Sequence, residues 1–280
     1  MMKTIGFVDY YLSEWHANNY PVWIKEICEK TGKKFCVKYA WAEKEVSPVD
    51  GRTTDEWCES FGAEKCASIE ELCEKSDVII ILAPSNPETH LRLAEKVLPF
   101  GKRTYIDKTF APDFAASEKI FDIAKRYNTP FFSTSALRYA TELDSLIGSD
   151  KIIVTGGGGN FEEYIIHQIE PAVKVLQAKA ANVSAQKQGK QIICRVEFEG
   201  GRQATMLYGE TMPFTVCTEK NGVSAYASLN SDYFHALIAD ILRFFESGEV
   251  SFDTEQTKEV MRIREALIKA KSHSGEIIEL

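Results

Sequence analysis

Positive charge is in short supply: 33 Lys and Arg against 41 Asp and Glu leave a net charge of −8 and an isoelectric point near 5.3. Without a basic run to neutralise phosphates, nucleic acid is excluded as an expected partner. Long apolar runs are missing too. Nothing approaches the roughly 18 residues of a membrane span, and the short run after Met1-Met2-Lys3-Thr4 is broken by Asp9 and Glu14. No membrane partner and a cytoplasmic location are therefore expected. The seven cysteines (Cys28, Cys36, Cys58, Cys66, Cys73, Cys194 and Cys217) are odd in number, scattered and without a C-x-x-C pair. They read as reduced thiols serving as small hydrophobes. His16, His90, His167, His235 and His273 are dispersed, with no H-x-x-x-H pair, so no metal is expected. The run Gly156 to Gly159 lacks the Lys-Ser/Thr of a P-loop. It reads either as a place of close backbone approach to a ligand or as a flexible turn.

What is present is ordinary globular composition, 44% hydrophobic and 26% charged over 280 residues. At about 150 residues per domain this length suggests two domains. Up to residue 134 short β-rich runs alternate with helical stretches: strands are expected at 4–8, 34–41, 77–83, 103–107 and 130–134, and helices at 21–30, 88–98 and 113–127. Val78-Ile79-Ile80-Ile81-Leu82 is continuously apolar, as a central parallel strand covered on both faces requires. The expectation is an α/β domain with a doubly wound parallel sheet over 1–134. After residue 135 the grammar changes. A helix at 164–177 precedes strand pairs at 191–199 with 202–209 and at 214–219 with 223–229, the second pair flanking Asn221-Gly222, a strong hairpin turn. Helices at 231–248 and from an N-cap at Asp253 onward close the chain. Residues 135–280 are thus expected to form an α+β domain with a mainly antiparallel open sheet.

Five segments in order resemble the glucose-fructose oxidoreductase, inositol dehydrogenase and related (Gfo/Idh/MocA) family. Ser76 to Asn86 with His90 is similar to its fourth-strand signature, and Gly101-Lys102 with Asp107-Lys108-Thr109 to its Gly-Lys…Glu-Lys-Pro segment. Arg138-Tyr139 resembles the pair that opens its second domain, Gly156 to Glu170 its Gly-rich turn and Gly-x-His-x-x-Asp stretch, and Ser272 to Ile278 its last helix and strand. The resemblance implies a Rossmann-like first domain, NAD or NADP as cofactor, and hydride transfer to or from a hydroxyl carbon of a sugar, polyol or related small molecule. It also implies a homo-oligomer, a dimer or tetramer.

Lys108 falls at the family's motif lysine, just beyond a parallel strand, where an ammonium can hydrogen-bond a substrate hydroxyl and relay its proton. Asp107 stands there for Glu and Thr109 for Pro. Tyr164, His167 and Glu170 are spaced to share one helix face, a plausible acid/base group, with Glu170 in place of the family's Asp. The expected catalytic set is therefore Lys108, His167, Glu170 and Tyr164. The expected cofactor contacts are Tyr10, Tyr11, Pro84, Asn86, His90, Asp107 and Arg138, with Glu43 the best candidate for a ribose acid.

One segment departs from the pattern. A dinucleotide domain places G-x-G-x-x-G after its first strand so that the pyrophosphate meets bare backbone and a helix N-terminus. Here those glycine positions carry about Asp9, Tyr11 and Glu14. Two carboxylates would repel a pyrophosphate and a tyrosine would obstruct it. Tyr10, Tyr11, Trp15, His16, Asn18 and Asn19 read either as a polar-aromatic surface facing the cleft or as a long loop packed by its own aromatics. The rival functions are a ligand-binding or sensor protein that has lost the usual dinucleotide binding, and a non-redox enzyme using Lys108 as a Schiff-base amine.

Overall fold

The computed structural model describes residues 1–280. The chain divides into two compact units, one of Met1–Thr134 with Leu237–Thr254, the other of Ser135–Ala236 with Glu255–Leu280.

In chain order the first unit contains β1 (Lys3–Tyr11), α1 (Trp15–Thr31), β2 (Phe35–Lys44), α2 (Thr54–Phe61), β3 (Glu64–Lys65), α3 (Ile69–Lys75), β4 (Val78–Ile81), α4 (His90–Val97), β5 (Thr104–Ile106), α5 (Phe114–Arg126) and β6 (Phe131–Phe132). The strands form one parallel sheet in the order β3-β2-β1-β4-β5-β6. All four residues of β4 are buried, which requires cover on both faces. The strand order reverses between β1 and β4, so the crevice outside their carboxyl ends is where such a sheet takes its ligand. Gly6 in β1 shows how tightly the layers meet: a Cβ there would lie 2.4 Å from Ser76 Oγ and 2.5 Å from Leu72 Cδ2 of α3 and its cap.

The sequence reading is corrected at α1. Pro21 looked like a first-turn proline, yet the helix begins six residues earlier, at Trp15, and carries Pro21 in its interior. His16, Ala17, Tyr20, Ile24 and Ile27 form its buried stripe. Strand β1 likewise runs on to Tyr11, pairing Asp9 with Ala42 and Tyr11 with Lys44, so only Leu12-Ser13-Glu14 connect it to α1. Helices α2 and α3 and the short β3 were not anticipated.

The second unit contains β7 (Lys151–Gly156), α6 (Phe161–Tyr164), α7 (Ile166–Leu176), β8 (Ala180–Gln188), β9 (Gln191–Phe198), β10 (Arg202–Tyr208), β11 (Thr215–Lys220) and β12 (Val223–Ser228); α8 (Tyr233–Ser247) follows, then α9 (Glu255–Ser272) and β13 (Ile277–Glu279). Its sheet runs β12-β11-β7-β10-β9-β8-β13, parallel only between β7 and β10. Helices α7 and α9 pack on one face, joining Ile169, Val173, Ile263 and Leu267 to Val154, Val196 and Met206. Ile153 and Tyr226 stand exposed elsewhere on the sheet.

From Leu237 onward α8 belongs to the first unit, where a split at residue 135 would have left it in the second. The physical reason is aromatic: Phe244 lies edge-on to Phe132 at 5.0 Å, and Phe245 packs 6.2 Å from Phe35. The Arg103 guanidinium adds hydrogen bonds to the carbonyls of Phe245 and Glu246 at 2.6 and 2.7 Å.

Candidate functional site

At the carboxyl ends of β1, β4 and β5 the first unit buries three carboxyls and a histidine: Asp9, Glu14, Asp107 and His16. Asp9 ties β1 to the turn after β4, its Oδ1 accepting from Tyr10 N–H at 2.7 Å and Ala83 N–H at 3.0 Å. Its Oδ2 has no hydrogen-bond partner. Burial, and then the neighbouring Glu14 charge, push the Asp9 carboxyl well above the usual range. Glu14 is the N-cap of α1, accepting from His16 N–H at 2.7 Å and from Ala17 N–H. Burial raises its carboxyl too, outweighing the His16 charge and those donors.

Asp107 follows β5 and is hydrogen-bonded to the His16 ring. Tyr20 and Tyr105 hydroxyls donate to it at 3.3 Å, and Lys108 N–H at 2.8 Å. Burial works to raise the Asp107 carboxyl, but the charge and hydrogen bond of His16, with the Lys108 charge and N–H, hold it below its ordinary value. Burial, and then the Asp107 charge, push the Tyr20 hydroxyl well above its ordinary value.

Lys108 is 8% exposed and its ammonium donates to Pro84 O at 3.4 Å, across the turn from β4. Its peptide bond to Thr109 is cis. His90, expected at the cofactor, is instead fully buried, with Nε2 2.6 Å from Leu82 O and Nδ1 3.0 Å from Phe110 O. Both ring nitrogens lie within hydrogen-bond distance of main-chain carbonyls, one of which accepts the single N–H of the neutral ring, and His90 thereby packs between the β4 turn and the segment that carries Lys108. Burial lowers its pKa. Asn86 donates to Glu88 at 3.0 Å, and Glu43 is ion-paired with Arg92. Tyr10 and Tyr11 belong to β1, their rings 6.0 Å apart and the Lys44 ammonium 5.7 Å over the Tyr10 ring. Asn18 accepts from Trp57 Nε1–H at 3.0 Å, and Asn19 donates to Trp15 O at 2.6 Å. The expected loop surface is thus strand and helix.

In the second unit Ser135 Oγ lies 2.6 Å from His167 Nδ1. Glu170, expected as the acid/base partner of His167, is 2% exposed and engaged elsewhere. It accepts from Ser135 N–H at 3.0 Å and from the Arg138 guanidinium at 3.1 Å, and that guanidinium also meets Gln256. Arg138, expected at the cofactor, is therefore held by its own unit. Tyr164 ends α6, its ring edge-on to His167 at 5.6 Å. Burial, and then Glu163, raise its hydroxyl pKa. Helix α7 starts before Pro171, which leaves the His167 carbonyl without the usual helical N–H.

The Gly-rich turn is explained by the chain itself. A Cβ on Gly157 would fall 1.8 Å from Gly209 O, and one on Gly158 2.0 Å from the Tyr164 ring. Of the cysteines, Cys73 and Cys194 have thiols that burial pushes up to about 12, and all seven are free. No group of three His, Cys, Asp or Glu could hold a metal ion. No helix is long and apolar enough to cross a membrane.

Residues 44–135 match the model of an oxidoreductase family with an NAD-binding Rossmann fold, Gfo/Idh/MocA. Over these residues the chain is similar to that family. Lys108, Asp107 and His90 all lie within the matched stretch. Among curated proteins none matches the chain. Three solved structures share its fold along nearly the whole length. A protein of gentamicin A biosynthesis in complex with NAD, GenD2, has TM-score 0.81 at 12% identity, covering 100% of this chain and 96% of its own. UDP-N-acetylglucosamine 3-dehydrogenase from Acidithiobacillus ferrooxidans has 0.79 at 11%, covering 98% and 99%. A myo-inositol dehydrogenase from Corynebacterium glutamicum has 0.76 at 12%, covering 100% and 99%.

The likeness to an NAD-binding Rossmann family points to a nicotinamide dinucleotide, whose pyrophosphate a Rossmann domain holds at the N-terminus of its first helix. The residues here do not fit it there. The N–H groups of His16 and Ala17 are taken by Glu14, Asp9 adds a second carboxyl, and no glycine lies between Gly6 and Gly32. The sequence exposed the departure but not the Glu14 cap or the His16–Asp107 pair. An acid directly before an apolar helical stripe was the available signal, obscured by Pro21.

Proposed function

We propose that this chain is an oxidoreductase acting on a CH–OH group of a sugar, polyol or related small molecule, with Lys108 handling the hydroxyl proton. The observation that carries the reading is the position of Lys108: it follows β5 at the carboxyl edge of a parallel sheet, inside the stretch of Gfo/Idh/MocA sequence, with its ammonium beside the β4 turn. An ammonium there hydrogen-bonds a substrate oxygen, favours its deprotonated form and passes the proton on as the carbon is oxidised. Asp107 fixes the lysine's main chain through its N–H and adds a charge beside the ammonium. His167, aligned by Ser135 Oγ, is the second proton-handling group of the proposal, and Tyr164 shapes its surroundings. NAD or NADP is the redox partner that the family suggests.

A second reading is favoured by the Glu14 cap: a ligand-binding or sensor protein of the same fold that has given up dinucleotides. Calorimetric titration of the full chain with NAD+, NADH, NADP+ and NADPH separates the two. A ligand at 100 times its Kd adds about 2.7 kcal/mol of stability, so thermal shift reports the same answer. Binding of at least one form supports the oxidoreductase. Binding of none, with a polyol or sugar still bound, replaces it by the second reading.

A further inference from the structure

The start of α1 already holds the equivalent of the group that the fold would bind there. A helix of 17 residues presents unpaired N–H groups and partial positive charge at its first turn. A pyrophosphate satisfies both in dinucleotide-binding Rossmann domains. In this chain Glu14 does so: its carboxylate is drawn onto the His16 and Ala17 N–H groups, in a residue only 7% exposed. Being covalently attached, it competes at high effective concentration with any anion from solution.

Displacing it would be costly. A carboxylate leaving the cap stays in a region that also buries the Asp107 charge and a second carboxyl, Asp9. Asp9 is 1% exposed and its Oδ2 has no partner, so this carboxyl offers nothing to a phosphate oxygen or a displaced carboxylate. The connection Leu12-Ser13-Glu14 has no glycine, and Ser13 is held by Asp50 through a 2.7 Å hydrogen bond.

We infer that Glu14 is an intramolecular stand-in for the pyrophosphate, a specificity-determining residue that suppresses dinucleotide affinity by occupying the N-terminus of α1. The inference does not rest on the role given to Lys108 or on the identity of the hydroxylated molecule. Removing the side chain frees the N–H groups while keeping an acceptable N-cap, since glycine is itself a favoured residue at that position.

The test compares the wild-type chain with Glu14→Gly and Glu14→Gln, by calorimetric titration with NADH and NADPH at one salt concentration. Glu14→Gly is expected to bind at least one nucleotide tenfold or more tighter than wild type. Glu14→Gln retains an acceptor for the N–H groups without the charge, and is expected to gain less. Equal affinity of wild type and Glu14→Gly within threefold, or no binding by either, overturns the inference. Should Glu14→Gly fail to fold, the Gln variant decides: no gain there overturns it. A Glu14→Gly chain that binds tightly but turns over no sugar or polyol leaves the inference standing and removes the proposed reaction instead.

Discussion

Asp9 meets two opposed demands. Its Oδ1 is needed as acceptor for two N–H groups, while Oδ2 is buried with nothing to donate to it. Burial and Glu14 raise its pKa, so above the ordinary value of 3.8 the native chain holds a proton that the unfolded chain has lost. Stability then falls as pH rises through that window, by about 1.4 kcal/mol per pH unit while the difference is one proton. Glu14, also raised, acts with the same sign. Asp107 has the opposite shift, and its contribution is lost only as pH falls below the ordinary carboxylate range. Asp9→Asn keeps the acceptor and removes the titration, so urea unfolding should show it more stable than wild type at pH 7.5 by about 1–3 kcal/mol. Its advantage should shrink toward pH 5. Parallel pH profiles for the two chains would contradict this account of Asp9. At this scale the sequence was partly legible. Lys108 and His167 stand out as candidates by motif position, whereas the partners of Glu170 and His90 do not, because the Ser135 N–H and Arg138 guanidinium of the one and the Leu82 and Phe110 carbonyls of the other are brought close only by the fold.

Among the elements, α1 was misread for a specific reason. A proline at the seventh helical position leaves the Ala17 carbonyl without its bond, and local rules place such a proline at a helix start. Tertiary burial of His16, Ala17 and Tyr20 sustains the earlier turn. The hairpins β9–β10 and β11–β12 were legible, since each pairs neighbours across a Gly-containing turn. The parallel pairing of β7 with β10 joins Lys151 to Gln203 and leaves no local trace. Two element contacts are open to mutation. Gly6→Ala drives a methyl into Ser76 and Leu72, and should cost about 1–3 kcal/mol by chemical denaturation, while an unchanged midpoint would mean that α3 gives way. Arg138→Ala leaves the Glu170 carboxylate buried with one donor fewer, and should lower stability by about 3–5 kcal/mol. A loss below 1 kcal/mol would show that the pair is not needed to hold α7 to the segment that begins at Ser135.

For the whole molecule, the alternation of strands and helices, the change of grammar near residue 135 and the apolar β4 were enough to anticipate a parallel sheet followed by a mainly antiparallel one. The return of Leu237–Thr254 to the first unit was not legible, because an apolar helix face does not say which neighbour it covers. A homodimer or tetramer is the assembly that the family resemblance leads one to expect, and sedimentation equilibrium should then give a mass at least twice the 31.5 kDa of one chain. A single-chain mass would remove it. The proposed reaction centres on Lys108. The decisive measurement is turnover of wild type against Lys108→Ala, with a sugar and polyol panel and the nucleotide that binds. The account predicts a loss of about 10²- to 10⁴-fold, the contribution of a positioned proton-transfer group, with the melting temperature little changed; full turnover in the alanine variant would contradict it.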